Sequence, residues 1–517
     1  MNQSAKTISI LLAICSLILF ASVCSADGPY RANWESLKKI PVPQWFDDAK
    51  LGIFSHWGPY SVAGFRAKYG YSEHFAQFLY RRPQEHKKFM METFGGMPPN
   101  FGYKDLIPFF KAEKFDADEW AELLKKAGAQ YVIPVGEHHD GFAMWDSELT
   151  QWDAKEKGPK RDVIGELEKA VRAQDMQFGV SYHRERHFGF FGNPKHAAKV
   201  KPHAVIEQEI AAMPECSDLY GPFGLTNKFI EDYIARWKEI ERKYQPDFMW
   251  IDDIPVFYND KGPQVEKFRD ALKQMIADYL NQAQSWGKPV YLNNKGKRAN
   301  WPDGVGCRSA DNMAMNSVGP KWENPATLGH SYAYCREEDE QDQYKSVTTL
   351  VHLLCDVVSK NGTLLLNIGP KADGTISENQ KKRLLGIGQW LEVNGEAIYS
   401  TRPWVTFGEG LTDISKSNGH LGNKDFSTYA AENIRFTRSK DNKIIYAIFM
   451  NWPSQGKKVI VRSFAKDAAG AMLKIKNVSL LGYSKSIQWS RSNRGLLLKM
   501  PAVSANPHAN VFKIELQ

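Results

Sequence analysis

From about residue 45 to residue 370 one unit recurs along the chain: a helical stretch with one apolar face, then a short apolar run that ends in polar side chains. Trp120, Leu123 and Leu124 mark the apolar face of a helix from Asp118 to Ala127; Gly128 stops it, and Tyr131-Val132-Ile133-Pro134-Val135 reads as a buried strand. Glu137, His138, His139 and Asp140 follow directly. The next unit pairs a helix from Asp162 through Val171 with the strand Phe178-Gly179-Val180-Ser181-Tyr182, which ends at His183. Phe229 to Tyr244 leads into Asp247 to Ile251, ending at Asp252, and Val265 to Gln284 leads into Pro289 to Leu292, ending at Asn293, Asn294 and Lys295. Tyr344 to Lys360 precedes Thr363-Leu364-Leu365-Leu366, ending at Asn367, and Leu51-Gly52-Ile53-Phe54, ending at His56, is the first strand. Buried strands alternating with helices form a parallel sheet under a helical cover. Their number, and the absence of a G-x-G-x-x-G turn after the first strand, favour a (β/α)8-like (TIM-type) barrel over a doubly wound sheet. In either fold the carboxyl ends of the strands form the active face, so the His, Glu, Asp and Asn residues at those ends converge on one cleft.

After Trp404 the pattern shortens to alternating strands, Asn442 to Met450, Lys457 to Ser463, Val478 to Leu481 and Val511 to Leu516, which predict a C-terminal β-sandwich. At the other end Lys6 is the only charged side chain before Asp27. Ile8 to Val23 is mainly apolar, shorter than the about 20 residues of a spanning helix, and Cys24-Ser25-Ala26 offers small residues for cleavage. The expected organisation is a signal peptide over 1–26, a catalytic barrel over 27–404 and a sandwich over 405–517. The mature chain is expected to be exported, to a periplasmic or extracellular space or a lysosome-like compartment in a eukaryote, with no membrane span after cleavage.

Composition adds exclusions. A chain of 517 residues, 43% hydrophobic and 24% charged, is neither disordered nor a small disulfide scaffold. The net charge of +8 is spread without a basic block, which argues against nucleic acid and leaves a mild preference for anionic partners. The 15 Trp and 21 Tyr suggest surfaces that stack flat, partly apolar ligands such as sugars. Cys216, Cys307, Cys335 and Cys355 show no metal-site spacing, and an exported context permits a disulfide without requiring one.

Asp252 shares strand parity with Trp250 and Phe248, so all three face the barrel interior; the functional reading is a nucleophilic carboxylate, the bland one a cap or buried ion pair. Glu323, in what reads as a loop at Lys321-Trp322-Glu323-Asn324, is the second carboxylate candidate. Two carboxyl groups flanking a glycosidic bond supply acid/base and nucleophilic catalysis. His138 and His139 are adjacent, so in an extended chain their rings diverge and share an ion poorly. His183-Arg184-Glu185-Arg186-His187 has its Glu one position away from an H-E-x-x-H zinc helix, so no metal is expected and the imidazoles fit sugar hydroxyls better.

Four runs carry a resemblance: Gly52-Ile53-Phe54-Ser55-His56-Trp57-Gly58-Pro59-Tyr60, His138-His139-Asp140-Gly141-Phe142-Ala143-Met144-Trp145-Asp146-Ser147, Trp250-Ile251-Asp252, and Asn361-Gly362-Thr363-Leu364-Leu365-Leu366-Asn367-Ile368-Gly369-Pro370. In this order they resemble the α-L-fucosidases of glycoside hydrolase family 29, over about residues 35 to 404 with a sandwich tail. The resemblance implies a retaining exo-glycosidase with Asp252 as nucleophile and Glu323 as acid/base, and no cofactor. It also implies a sugar pocket lined by His56, Glu73, His138 and His139 and walled by Trp250. Where relatives carry a sugar-binding tyrosine, this chain offers Tyr182 or His183; where many carry an arginine after Asn-Asp, it has Lys295, a point charge that cannot act as a bidentate clamp. The implied partner is a fucosylated oligosaccharide or glycoconjugate. The alternatives are an α-L-galactoside, sulfated fuco-oligosaccharides, or a glycan-binding protein with a decayed site.

Overall fold

The computed structural model describes residues 28–517 apart from 82, 193–200, 253–261, 296–300, 310, 312–314, 316, 411–432 and 454–456. The segment read as a signal peptide lies outside the described residues. Eight parallel strands close into a barrel: β1 (Leu51–Ser55), β2 (Tyr131–Glu137), β3 (Gln177–Tyr182), β4 (Phe248–Ile251), β5 (Tyr291–Asn294), β6 (Cys307–Ser309), β7 (Trp322–Thr327) and β8 (Gly362–Ile368). Closure comes from β8 against β1, in register from Leu51 opposite Leu364 to Ser55 opposite Ile368. The apolar runs seen in the sequence are these strands, buried on both faces between the barrel interior and the surrounding helices.

The helices start where a side chain can take up the free backbone N–H groups. Asp116 accepts from the N–H groups of Asp118 and Glu119 ahead of the helix Ala117–Lys126, Asp162 from Gly165 ahead of Val163–Ala173, and Thr226 from Phe229 ahead of Asn227–Tyr244. Beneath the barrel the short helix Gln44–Ala49 inserts Phe46, whose ring lies 5.9 Å from that of Tyr131, 5.3 Å from Phe248 and 5.2 Å from Tyr291. This aromatic plug closes the amino-terminal end and leaves the carboxyl-terminal end for a ligand.

Two barrel strands carry no clear hydrophobic pattern. β6 is three residues long with Arg308 exposed at its centre, and β7 reads Trp-Glu-Asn-Pro-Ala-Thr. Lys321-Trp322-Glu323-Asn324 is therefore not a loop; Trp322, Glu323 and Asn324 pair with Gly362, Thr363 and Leu364 of β8.

The C-terminal part holds β9 (Arg402–Glu409), β10 (Ile434–Arg438), β11 (Ile444–Phe449), β12 (Lys458–Val461), β13 (Ile475–Leu480), β14 (Trp489–Ser492), β15 (Gly495–Lys499) and β16 (Asn510–Leu516). They form a five-stranded sheet in the order β13-β16-β11-β10-β9 and a three-stranded sheet in the order β12-β15-β14. Trp404, Phe436, Phe449, Phe464, Leu496 and Phe512 belong to their shared core, which makes the sandwich. Against the barrel, Arg435 Nε donates to Asp356 Oδ1 at 2.7 Å and Trp390 Nε1 donates to the Ala509 carbonyl at 2.9 Å. Cys216, Cys307, Cys335 and Cys355 are buried free thiols. No helix among the described residues is long and apolar enough to cross a membrane.

Candidate active site

Asp252 stands one residue beyond β4, at the open end of the barrel, and is 8% exposed. Its Oδ1 accepts from Lys295 Nζ at 2.6 Å. Its Oδ2 lies 3.2 Å from His139 Nε2, 3.9 Å from His183 Nδ1 and 3.9 Å from Arg186 Nε. Burial opposes ionisation, but the charges of Lys295 and Arg186 outweigh it and hold the carboxyl well below 3.8, so Asp252 is ionised. Lys295, one residue beyond β5, reaches a second carboxylate. Its Nζ lies 2.6 Å from Asp252 Oδ1 and 2.8 Å from Asp311 Oδ2, which bounds the gap between those two oxygens at 5.4 Å. Burial alone would lower the lysine's pKa; the two carboxylates raise it above 10.5 and keep it charged.

Around this pair the strand ends deliver imidazoles. His56, just past β1, places Nδ1 2.6 Å from Asn367 Oδ1; the Asn367 amide NH2 donates to the Tyr332 carbonyl, so Oδ1 accepts and His56 Nδ1 carries the proton. His139 Nδ1 donates to the His183 carbonyl at 2.6 Å, which turns Nε2 toward Asp252. The His183 ring stacks on Trp250, centroids 5.2 Å apart at 24°, and its Nε2 lies 2.5 Å from Ser181 Oγ. His138 lies 5.7 Å from His56 and 5.0 Å from His183 between ring centroids, and His74 lies 5.6 Å from His139. Burial pushes His56 and His74 down to about 3 and lowers His138, His139 and His183, leaving a shell of neutral rings. Glu73 Oε2 accepts from the backbone N–H groups of Tyr332 and Ala333 at 3.1 and 3.3 Å, and burial raises its carboxyl to about 7.

The rings of His138 and His139 do not diverge: their centroids are 4.4 Å apart. Both lie past the end of β2, in a turn that passes through Gly141 at φ +80°, so strand alternation does not apply to them. A side chain at Gly141 would be strained by that φ and would stand 2.4 Å from His187 Cε1. His187 Nδ1 in turn donates to the His139 carbonyl at 3.0 Å, so the turn and the imidazole brace each other.

The remaining expected residues and the tryptophans beside them fall in different places. Glu323 sits near the amino end of β7 with no exposure; Tyr131 O–H donates to Oε1 at 2.9 Å and Trp250 Nε1 to Oε2 at 2.8 Å. Trp250 thus contacts both Glu323 and His183. Burial, offset by those two donors, raises the Glu323 carboxyl to about 7. Tyr182 points out of the barrel, its O–H donating to the Tyr233 carbonyl at 2.9 Å, while His183 faces the pocket. Of the tryptophans near the motifs, Trp57, Trp145 and Trp322 are core residues whose indole N–H groups bond to Lys371, Glu239 and Lys360, and only Trp250 meets the imidazole shell. Sequence reasoning missed Asp311, Arg186, His74 and Tyr332, whose O–H donates to Asp311 Oδ1 at 3.1 Å. Asp311 lies just after β6, a strand without a readable pattern, so nothing in the sequence placed it at the cleft.

A closed parallel barrel, with paired carboxylates and a neutral imidazole shell at the carboxyl ends of its strands, defines the class as barrel glycoside hydrolases. The family described as Alpha-L-fucosidase matches residues 17–396, and the Alpha-L-fucosidase C-terminal domain matches residues 427–515. Plasma alpha-L-fucosidase of Rattus norvegicus is 31% identical over 96% of both chains. That of Homo sapiens is 30% identical over 93% of this chain and 91% of its own. Among solved structures, Thermotoga maritima alpha-fucosidase in complex with fucose superposes with a TM-score of 0.72 at 32% identity, over 94% of this chain and all of that one. The chain belongs to the α-L-fucosidase family of glycoside hydrolases.

Proposed function

We propose that the protein is a retaining, exo-acting α-L-fucosidase that removes terminal α-L-fucose from glycans outside the cytoplasm, with Asp252 as nucleophile and Asp311 as acid/base. The observation that carries the reading is the Lys295-bridged carboxylate pair. With those two oxygens at most 5.4 Å apart, the pair is closer than the about 6.5–9.5 Å that accommodates a water in inverting glycosidases, which favours the retaining class. In the first step Asp252 Oδ attacks the anomeric carbon, and the departing glycosidic oxygen takes a proton that Asp311, a carboxylate in the ligand-free site, acquires from water before turnover. In the second Asp311 removes a proton from water, which releases fucose and frees Asp252. His56 Nε2 and His139 Nε2 are positioned as acceptors for sugar hydroxyls, and Trp250 forms the pocket floor beneath His183.

Asp252→Ala is expected to lose on the order of 10³-fold or more in kcat on a chromogenic α-L-fucoside while still binding fucose; full activity would sink the assignment. Asp311→Asn should lose far more activity on a fucosylated oligosaccharide than on a fucoside with a good leaving group, and azide should restore turnover as fucosyl azide. Glu323→Gln should show neither signature; if it does and Asp311→Asn does not, the proton donor is Glu323. A panel of fucosylated, α-L-galactosylated and sulfated oligosaccharides with product analysis fixes the sugar.

A further inference from the structure

We infer that His139, His183 and Asp252 form a site for a transition-metal ion of the zinc(II) class, and that an ion bound there caps the carboxylate and blocks the enzyme. The inhibitory part rests on the proposed role of Asp252; the binding part does not. One donor atom from each residue lies within 4.8 Å of the other two, and all three residues are buried. Oδ2 of Asp252 stands 3.2 Å from His139 Nε2 and 3.9 Å from His183 Nδ1. Ligands bonded at about 2.0–2.1 Å around a tetrahedral ion lie about 3.3 Å apart, a spacing the His139–Asp252 pair already has, while His183 Nδ1 must approach Oδ2 by about 0.6 Å.

The hydrogen bonds behind these ligands are those of a metal site. His139 Nδ1 donates to the His183 carbonyl, so its neutral ring presents the Nε2 lone pair to Oδ2. Two acceptors facing each other at 3.2 Å are relieved only by a proton or a cation between them. His183 Nε2 is occupied by Ser181 Oγ, which leaves Nδ1 for the ion, and Lys295 takes Oδ1, which leaves Oδ2. Lys295 and Arg186 repel a divalent cation. The site therefore suits a reversible inhibitor in competition with the sugar. The other imidazole groups, His56–His138–His183 and His74–His138–His139, lack a carboxylate to offset the ion's charge.

The test titrates the purified full chain with cobalt(II), a spectroscopic stand-in for zinc. Expected are tetrahedral ligand-field bands that zinc(II) or L-fucose removes, and competitive, EDTA-reversible inhibition of α-L-fucoside hydrolysis by zinc(II). Equilibrium dialysis should show binding at least about tenfold weaker in both Asp252→Asn and His183→Asn, against no change in His508→Gln, with near-UV circular dichroism confirming that each variant is folded. Absence of the bands, or zinc binding unchanged in folded Asp252→Asn and His183→Asn, overturns the inference while leaving the proposed function intact. Binding that is lost in both variants, alongside full activity of Asp252→Asn, supports the site and sinks the nucleophile assignment instead.

Discussion

Tyr182 and His183 are neighbours in the chain and occupy opposite faces of the barrel wall. Tyr182 closes on the helix Asn227–Tyr244 through its bond to the Tyr233 carbonyl, whereas His183 lies on Trp250 beside Asp252. Tyr182→Phe therefore deletes one buried hydrogen bond and no sugar contact. It should cost about 1 kcal/mol in stability and leave KM within about twofold, readable by thermal unfolding and steady-state kinetics on the same sample. A KM rise of tenfold with unchanged stability would return Tyr182 to the pocket.

At the scale of the element, the same helix carries a carboxyl that works against it. Glu241 is buried, accepts from the Trp237 indole N–H, and burial raises its pKa from 4.5 to about 8. The folded carboxyl holds its proton where the unfolded one has lost it, so the folded state binds more protons between about pH 4.5 and 8. The stability this group contributes is complete below about pH 4.5 and is lost as pH rises through about 8. Glu241→Gln keeps an acceptor for the indole and removes the titration. Its melting temperature relative to the unsubstituted chain should climb between about pH 4.5 and 8, and a flat difference would show that Glu241 is not the group. Element placement also separates the candidate carboxylates: Asp252 and Asp311 follow strand ends, whereas Glu323 lies inside a strand.

Across the whole molecule, the sandwich is fastened to the barrel through a buried charge cluster. Asp356, on the helix Val347–Ser359 that packs outside the barrel, accepts from Lys360 Nζ and from Arg435 Nε, both at 2.7 Å. Removing Arg435 leaves a buried carboxylate with one partner where it had two. Arg435→Ala should destabilise by about 3 kcal/mol and lower the calorimetric transition, with kcat unchanged because no residue of the Asp252 cluster is touched. Loss of kcat at full stability would instead assign the sandwich a part in catalysis.

The sequence by itself determined the architecture, because a parallel barrel buries its strands on both faces and therefore writes them as apolar runs between amphipathic helices. β1 to β5 and β8 are legible in that way, and so are the residues that follow them, which places His56, His138, His139, His183, Asp252 and Lys295 at one end of the barrel. β6 and β7 escaped because one is too short for a pattern and the other turns polar side chains into the barrel, with Glu323 held by a partner as distant in sequence as Tyr131. Only the tertiary structure decided which face Tyr182 takes, how deep Glu323 lies, and that Asp311 meets Asp252 across Lys295. Each depends on depth and direction within a closed sheet, where tilt and register bring together residues that no spacing along the chain relates.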